Sequence, residues 1–336
     1  MRSSATVALI IGVAAMLGLA ATPTGPGELP ARPQTAAREP DGLLVLAVLS
    51  PERTMVANPR TGRTVARELP GGTLCHGPVL AVADHVVFSG IRRGRPVALA
   101  TRLGYRRRAR SLGPAAAMML SSNPGRLWLG RWKPIGDTGR MSYREVDVAG
   151  RVYARMSGPL DATGSIEGIV QGRFLTLGGS DLTLWPARAE RPSVRVRHGW
   201  PIAIDRSRFA WCTLGCRRIG VWDGARRTFD PPDGLRPVDG DAAFSPDGRR
   251  LALATARGSR VAVIDVGRGT WRVVPGARTA RYGPLAWSPS GGWLYFAGQR
   301  HRLLASRGGV ERARRLPIRT GGTVMSIAST PGSAAR

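Results

Sequence analysis

From residue 42 onward, short apolar runs alternate with turns that are rich in Gly, Pro and Asp. Runs such as Arg250 to Thr255 and Val261 to Asp265 consist mainly of small and β-branched residues, as buried strands often do. Beyond the N-terminus no long stretch keeps the 3.6-residue apolar spacing of an amphipathic helix, which argues against a helical bundle. The pattern therefore predicts a chain of many short β-strands.

Two C-terminal segments indicate that these strands repeat as a unit. Residues 241–274 and 284–317 each begin with a short strand, pass through a Ser-Pro-x-Gly turn and continue with three more strands. In the turns Ser245–Gly248 and Ser288–Gly291, Pro restricts φ and Gly accepts a positive φ. Four strands in about 40 residues is the period of a β-propeller blade.

The same unit is weaker upstream but can still be counted. Residues 42–69 supply only three strands and residues 323–328 supply one spare strand. Pairing these two segments closes a ring without exposed edges. We therefore expect an all-β, seven-bladed β-propeller over residues 42–330, closed by a C-terminal strand and followed by a disordered tail at 331–336. The six whole units are expected to begin near Gly77, Met118, Ser165, Pro201, Asp241 and Pro284.

The blocks Phe244–Gly248 and Trp287–Gly291 resemble the repeats of TolB-type and WD-repeat-like propellers of bacterial envelopes. The resemblance is clearest in the C-terminal part of the chain and weakens upstream. It implies an extracytoplasmic propeller, but no single activity, because this repeat serves many roles. The helical N-terminal domain of TolB has no counterpart in the sequence, so a role in the Tol–Pal system is not expected.

The N-terminus has the pattern of an export signal. Arg2 precedes an uncharged apolar run from Ala5 to Ala21, which is typical of a signal peptide or signal anchor over residues 1–21. Cleavage at the end of this run releases a secreted protein, whereas Pro23 disfavours cleavage and leaves a membrane anchor open. Residues 22–41 are rich in Pro and Ala and are expected to form a linker. We therefore expect the propeller outside the cytoplasm.

The three cysteines are interpreted in the same setting, because an exported chain folds in an oxidising compartment. Cys212 and Cys216 flank a predicted tight turn at Thr213–Gly215 and are expected to face each other across a hairpin and form a disulfide. Thiol redox chemistry and zinc binding are weaker alternatives, since the spacing is not Cys-x-x-Cys and a second ligand pair is lacking. Cys75 is left as a free buried thiol or as a cysteine that pairs elsewhere.

The charge of the chain is unusual. Arg and Lys number 50 against 22 Asp and Glu, the formal net charge is +28, and Lys133 is the single lysine. In one interpretation, coding bias in a GC-rich genome accounts for Arg in place of Lys, and the charged side chains are simply solvated on the surface. Such a bias does not account for the shortage of acids. Binding to a polyanion or to an anionic membrane surface is the competing interpretation.

The candidate binding residues are arginines in two loops of one predicted blade. One loop joins its second and third strands and the other joins its third and fourth, so the two loops emerge on opposite faces of the propeller. We expect contact with an envelope protein, an anionic wall polymer or lipid headgroups, made by a monomer. Export argues against sequence-specific nucleic-acid binding. The candidates are Arg92, Arg93, Arg95, Arg106, Arg107 and Arg108.

A catalytic constellation is not evident, so a binding or scaffold propeller without metal or cofactor is the leading interpretation. The four histidines lack metal-ligand spacing. Glu145 and Glu167 are the only acids that suggest paired carboxylates. The alternative is a hydrolase or lyase at the mouth of the central channel, which requires several acids or a His–acid pair there. Trp132 and Trp200 lie near predicted loops and are candidates for surface contacts.

Overall fold

The computed structural model describes most of the chain from residue 39 onward. The predicted signal segment 1–21, Cys75 and the loop containing Arg106 to Arg108 lie outside the described residues. The described residues are 39–49, 53–68, 79–102, 109–135, 138–157, 165–186, 191–255, 260–279 and 283–331.

The described strands, numbered β1 to β28 along the chain, form seven antiparallel four-stranded sheets, the blades of a propeller. The first blade joins the two ends of this region in the order β28-β1-β2-β3, and each other blade takes four consecutive strands. The strands of the first three blades are β28 (Thr323–Thr330), β1 (Leu43–Leu49), β2 (Arg53–Ala57), β3 (Thr64–Glu68), β4 (Leu80–Val82), β5 (His85–Arg92), β6 (Arg95–Arg102), β7 (Arg110–Pro114), β8 (Ala117–Leu120), β9 (Arg126–Ile135), β10 (Thr138–Asp147) and β11 (Val152–Ser157). Those of the other four are β12 (Ser165–Val170), β13 (Arg173–Gly178), β14 (Asp181–Trp185), β15 (Val194–Val196), β16 (Gly199–Ile204), β17 (Phe209–Thr213), β18 (Ile219–Trp222), β19 (Arg226–Phe229), β20 (Pro237–Phe244), β21 (Arg250–Thr255), β22 (Val261–Asp265), β23 (Thr270–Val273), β24 (Leu285–Trp287), β25 (Trp293–Ala297), β26 (Arg302–Arg307) and β27 (Arg314–Arg319).

The predicted closure by the C-terminal strand is confirmed. Strand β28 pairs with β1 from the Leu43–Thr330 pair to the Leu49–Thr323 pair, with one bulge. It therefore runs beyond the predicted end at residue 328, because it follows β1 along its whole length. The Thr330 hydroxyl also donates to the Ala83 carbonyl oxygen at 3.1 Å, which ties the closing strand to the second blade.

The innermost strands form a closed ring. Strand β28 lies beside β4, and the ring continues through β8, β12, β16, β20 and β24 back to β28. We call these seven strands the inner ring. The outermost strands β3, β7, β11, β15, β19, β23 and β27 are called the rim.

Seven apolar clusters of described residues fill the spaces between neighbouring blades. One cluster joins Leu44 and Leu46 of the first blade to Trp293 and Tyr295 of the last. Strands inside a blade are covered on both faces, so β25 is buried throughout. The blades diverge outward, and the rim strand β23 is mostly exposed. This geometry explains the continuous apolar runs of the inner strands.

Acidic and Asn side chains close many of the turns between strands. Asp265 Oδ1 accepts hydrogen bonds from the backbone N–H groups of Gly267 and Arg268, each at 3.0 Å. Backbone N–H groups in a turn lack the hydrogen-bond partners that a neighbouring strand supplies, and the side-chain oxygen of Asn or Asp takes the place of those partners. The same arrangement follows Asn58, Asp147, Asp205, Asp223 and Asp247.

Helical structure among the described residues is limited to the 3₁₀ turn Leu214–Cys216. No helix in this part of the chain has the length and hydropathy needed to cross a membrane.

Candidate polyanion-binding surface

The hairpin formed by β5 and β6 carries the first three candidate arginines. Arg93 and Gly94 form its two-residue turn, with φ angles of 52° and 70°. Positive φ at both central residues is the type I′ geometry that suits a twisted hairpin. Arg92 and Arg95 are cross-strand partners beside this turn. All residues from 91 to 96 are exposed, so the tip presents three arginines to solvent.

The charge at this tip is uncompensated within the described part of the chain. There, the side chains of Arg92, Arg93 and Arg95 form neither an ion pair nor a hydrogen bond with another residue. Directly opposed residues of an antiparallel pair have Cβ atoms about 4.5–5.5 Å apart, and like charges at such positions repel each other. An anion bound between Arg92 and Arg95 removes this repulsion.

A compensated arginine lies at the other end of β6. Arg102 Nε donates to Asp84 Oδ2, and Asp84 Oδ1 is hydrogen-bonded to His85 Nδ1 at 2.6 Å. Burial acts to raise the pKa of Asp84, but hydrogen bonds from Arg102 and His85 outweigh it and lower that pKa. The carboxylate is therefore ionised at neutral pH and cancels positive charge at this end of the strand.

The second triplet, Arg106 to Arg108, belongs to the connection between β6 and β7, which lies outside the described residues. Strand β6 runs from Arg95 at the hairpin tip to Arg102. The connection therefore starts about 24 Å from the tip, at the opposite end of the strand. Where Arg106 to Arg108 lie relative to the hairpin tip therefore stays a prediction.

A larger basic surface lies on the rim, where the sequence analysis named no candidate. Glu68 is the one acid in the described rim strands. The described inner-ring strands have the opposite composition: they contain no Arg or Lys, and their acids are Glu167, Asp239 and Asp241. Each rim strand carries at least one arginine, and together these are Arg67, Arg110, Arg155, Arg195, Arg226, Arg227, Arg272, Arg314, Arg315 and Arg319. Among the described strands, arginine is therefore present in every outermost strand and absent from the innermost ones.

The rim was missed because sequence reasoning looked for function in loops, where binding residues are most often found. The signal was nevertheless present. The predicted fourth strands at 270–274 and 312–317 contain Arg272, Arg314 and Arg315. Comparing the fourth strands of all units would have shown that the arginines recur at the same place in each blade.

Glu145, one of the two acids considered for catalysis, is a buried structural anion. Ser121 Oγ and Asn123 Nδ2 donate to its Oε1, the latter at 2.9 Å, and an Arg126 guanidinium nitrogen lies 3.5 Å from Oε2. Burial acts to raise the pKa of Glu145, but the hydrogen bonds from Ser121 and Asn123 and the charge of Arg126 lower it. A general acid at neutral pH needs the opposite shift.

A serine and a histidine meet on the fourth blade without forming a catalytic triad. Ser180 Oγ lies 3.1 Å from His198 Nδ1. Asp181 accepts a hydrogen bond from the His198 backbone N–H, at 3.2 Å, and its other oxygen binds Arg195. The carboxylate thus contacts the backbone of the histidine, whereas a triad acid orients the ring. Among the described residues, no group of three His, Cys, Asp or Glu side chains could hold a metal ion.

Of the two tryptophans considered for surface contacts, Trp200 is 46% exposed on the inner-ring strand β16. Trp132 lies in β9, but its side chain is outside the described residues, so its predicted surface contact stays a prediction.

Cys212 and Cys216 form a disulfide, and both residues are buried. The local geometry differs from the expected hairpin. Cys212 pairs with Ile219 across β17 and β18, while Cys216 ends the 3₁₀ turn with a φ of 47°. The partner strand therefore begins at Ile219 and not at Cys216, and the sulfur atoms meet because the turn folds back over β17.

No protein-family model matches the sequence, and no curated protein matches it. Several solved structures do. TolB from Acinetobacter baumannii is 15% identical, with a TM-score of 0.48 over 87% of this chain and 67% of that one. A protein of unknown function from Desulfotomaculum acetoxidans is 12% identical, with a TM-score of 0.56 over 87% of this chain and 100% of that one. A proposed 6-phosphogluconolactonase from Bacteroides fragilis is 13% identical, with a TM-score of 0.51 over 86% of this chain and 98% of that one.

The seven-bladed architecture confirms the expected propeller fold, and the structures with TM-scores of 0.56 and 0.51 resemble it. Their sequence identities of 12% and 13% show the fold alone. The same architecture supports binding proteins and enzymes, so function has to be argued from the surface of this chain.

Proposed function

We propose that this chain is an extracytoplasmic binding or scaffold propeller that holds anionic material of the cell envelope. The observation that carries the proposal is the exposed hairpin tip with Arg92, Arg93 and Arg95. Three guanidinium groups project from one rigid turn, and none has a carboxylate partner among the described residues. Guanidinium groups bind phosphate and carboxylate through two parallel hydrogen bonds.

The scaffold around this tip favours binding. The turn is only two residues long, and its strands pair in register from the Arg92–Arg95 pair to the His85–Arg102 pair. The hairpin is held between packed blades, so little conformational freedom is lost when an anion binds. Repulsion between Arg92 and Arg95 is relieved at the same time. Preorganisation and relief of repulsion both increase the affinity for a polyanion.

The extracytoplasmic location rests on two features. The predicted export segment at 1–21 directs the chain out of the cytoplasm. The Cys212–Cys216 disulfide fits an oxidising compartment. Mass spectrometry of the non-reduced exported protein tests the second feature. We expect the peptide with both cysteines to be two protons lighter than its reduced form. Free alkylation of both thiols in the exported protein would contradict it.

The binding proposal is tested by replacing Arg92, Arg93 and Arg95 with Gln. A control variant replaces Arg249, Arg260 and Arg268, which are also exposed and lose the same charge. Cosedimentation with vesicles of anionic lipid, with vesicles of neutral lipid and with purified wall polymer measures binding. We expect the hairpin variant to bind anionic material at least about tenfold more weakly, and the control to change much less. Binding should also fall steeply with salt. Equal losses in the two variants, or binding insensitive to salt, would contradict the proposal.

A second candidate function is hydrolysis at the mouth of the central channel. The observation that favours it is Glu167 on the inner-ring strand β12. A structure of similar fold is that of a proposed 6-phosphogluconolactonase. A lactone and an ester hydrolysis assay tests this candidate, with Glu167→Gln as the variant and Glu68→Gln on the rim as the control. Activity that is lost only in Glu167→Gln would favour the enzyme over the scaffold.

A further inference from the structure

The rim is a strongly basic surface in the described part of the chain, and the hairpin does not account for it. All seven rim strands contain arginine, and Glu68 is their one acid. The arginines of six of these strands, from β7 to β27, are exposed. In the described residues, the side chains of Arg110, Arg155, Arg272 and Arg315 form no ion pair. The basic positions therefore recur from blade to blade around the propeller.

Coding bias does not explain this distribution. A bias toward Arg codons places arginine wherever solvent tolerates it. The inner ring also offers exposed positions, such as Ser165, Trp200 and Met325, the last two being 46% and 42% exposed. The described inner-ring strands nevertheless contain no Arg or Lys. Position in the blade, and not codon usage alone, decides where the arginines lie.

Protection of strand edges explains part of the pattern. Outermost strands have unpaired backbone groups, and charged side chains there prevent edge-to-edge association. Glu would serve this purpose as well as Arg, because repulsion between like edges does not depend on the sign of the charge. The near absence of acids from the rim therefore requires a further reason, and attraction of an anionic partner supplies it.

We propose that the rim binds a flexible polymer of phosphate groups, which follows the outermost strands from blade to blade. The inference rests on the proposed function, that this chain binds anions. It adds the chemical class of the polymer and the strands that the polymer contacts. A planar membrane touches only one arc of a circular rim, whereas a flexible polymer can contact arginines of several blades together.

Phosphate suits the rim better than carboxylate. A guanidinium group occupies both oxygens of a carboxylate when it binds in the two-bond geometry. A phosphate diester or polyphosphate unit offers further lone pairs, which can accept hydrogen bonds from the N–H groups on the open edge of a rim strand. Arginine and strand edge can thus bind one phosphate group at the same time.

The experiment measures binding of inorganic polyphosphate and poly(glycerol phosphate), each in graded chain lengths, to the full chain. A rim variant carries Arg110→Gln, Arg155→Gln, Arg272→Gln and Arg315→Gln. A face variant loses the same charge through substitution of Arg249, Arg260, Arg268 and Arg300, which are exposed in loops between strands. Size-exclusion chromatography checks that each variant is monomeric. Polyglutamate of matched charge and vesicles of anionic lipid complete the set of probes.

We expect affinity for polyphosphate to rise with chain length by on the order of a hundredfold, because each bound segment holds the next one near its site. The slope of log affinity against log salt should fall by roughly 3 in the rim variant, from four lost phosphate contacts on a flexible chain. The face variant should keep the length dependence. If the Gln variant aggregates, the same four positions changed to Lys preserve edge repulsion, and we expect weaker phosphate binding without aggregation.

The outcomes separate the inference from the function on which it rests. Binding that does not depend on chain length, equal losses in the rim and face variants, or a Lys variant that binds as tightly as the unchanged protein would overturn the inference alone. So would equal affinity for polyglutamate, or binding to vesicles only. A protein that binds none of the anionic probes at physiological salt would overturn the proposed function as well. The two phosphate polymers show which phosphate linkage is preferred.

Discussion

The inner ring and the rim are built from the same repeat, yet they differ in almost every property. Inner-ring strands line the channel, contain no Arg or Lys and include Glu167, Asp239 and Asp241. Rim strands lie where the blades diverge, and each carries arginine. Packing between neighbours limits what the inner strands accept, while the open periphery accepts long charged side chains. The comparison shows that two positions of the same repeat, the innermost and the outermost strand, differ systematically in their arginine content among the described residues.

The largest effect should come from removing a strand of the inner ring. Deletion of residues 323–336 removes β28. No other strand replaces it, so one edge of β1 loses its hydrogen-bonding partner and is exposed. Loss of Val324 and Ile327 from the apolar cluster alone costs about 3–6 kcal/mol. We expect loss of the cooperative thermal transition, or a much lower Tm, in circular dichroism. Deletion of residues 332–336 is the control and should melt like the full chain; equal melting of both deletions would contradict ring closure.

A smaller effect is expected from overpacking between strands of one blade. A Cβ atom at Gly220 would lie 2.0 Å from the ring of the buried Trp211. We expect Gly220→Ala to lower the free energy of unfolding by about 1–3 kcal/mol in urea titration. Gly267→Ala is the matched control, because its nearest neighbour would be 3.5 Å away. An unchanged urea midpoint for Gly220→Ala would contradict tight packing of Gly220 against the Trp211 ring.

The buried Glu145 predicts a dependence of stability on pH. Its pKa is lowered in the folded protein, so its contribution is present above its ordinary value of 4.5 and is lost as the pH falls through the folded-state pKa. We expect Glu145→Gln to cost about 1–2 kcal/mol at pH 7, with the difference from the unchanged protein shrinking below pH 4.5. Glu311→Gln is the exposed control. A difference that persists unchanged to low pH would rule out an ionised Glu145 as its source.

The smallest effect on stability should come from the rim. Arg272→Gln and Arg315→Gln remove exposed side chains that have no ion-pair partner among the described residues. We expect each to change the free energy of unfolding by less than about 0.5 kcal/mol. Measured by urea titration, a loss above 1 kcal/mol would mean that these arginines are structural, and it would weaken their assignment to binding.

The fold could be predicted from the sequence because its signals are local and repeated. Ser245–Gly248 and Ser288–Gly291 mark the same turn in two blades, and the three-strand first unit requires the spare strand near residue 323. The first and last residues of the strands were harder to predict from the sequence. Strand β20 begins at Pro237 and not near Asp241, because a bulge separates its pairing at Pro237 from that at Ala242. Such an interruption of register leaves no trace in the alternation of apolar residues.

Arg92, Arg93 and Arg95 could be named from the sequence because they adjoin a two-residue turn between apolar strands, and their role in binding stays a prediction. The position of Cys216 was missed, since its φ of 47° depends on how the turn packs over β17. The rim was missed for a different reason. Its arginines become one surface only when the blades are arranged in a circle, and no single stretch of sequence contains that information.

Hydrogen–deuterium exchange of the full chain, with and without long-chain polyphosphate, tests the central claim most directly. If the arginine-rich periphery binds the polymer, protection should appear in the rim strands β7, β11, β23 and β27 and in the hairpin tip at residues 91–96, while the inner ring stays unchanged. Protection confined to the inner-ring strands β12, β16 and β20 would instead place the binding site at the channel mouth, and would contradict the account.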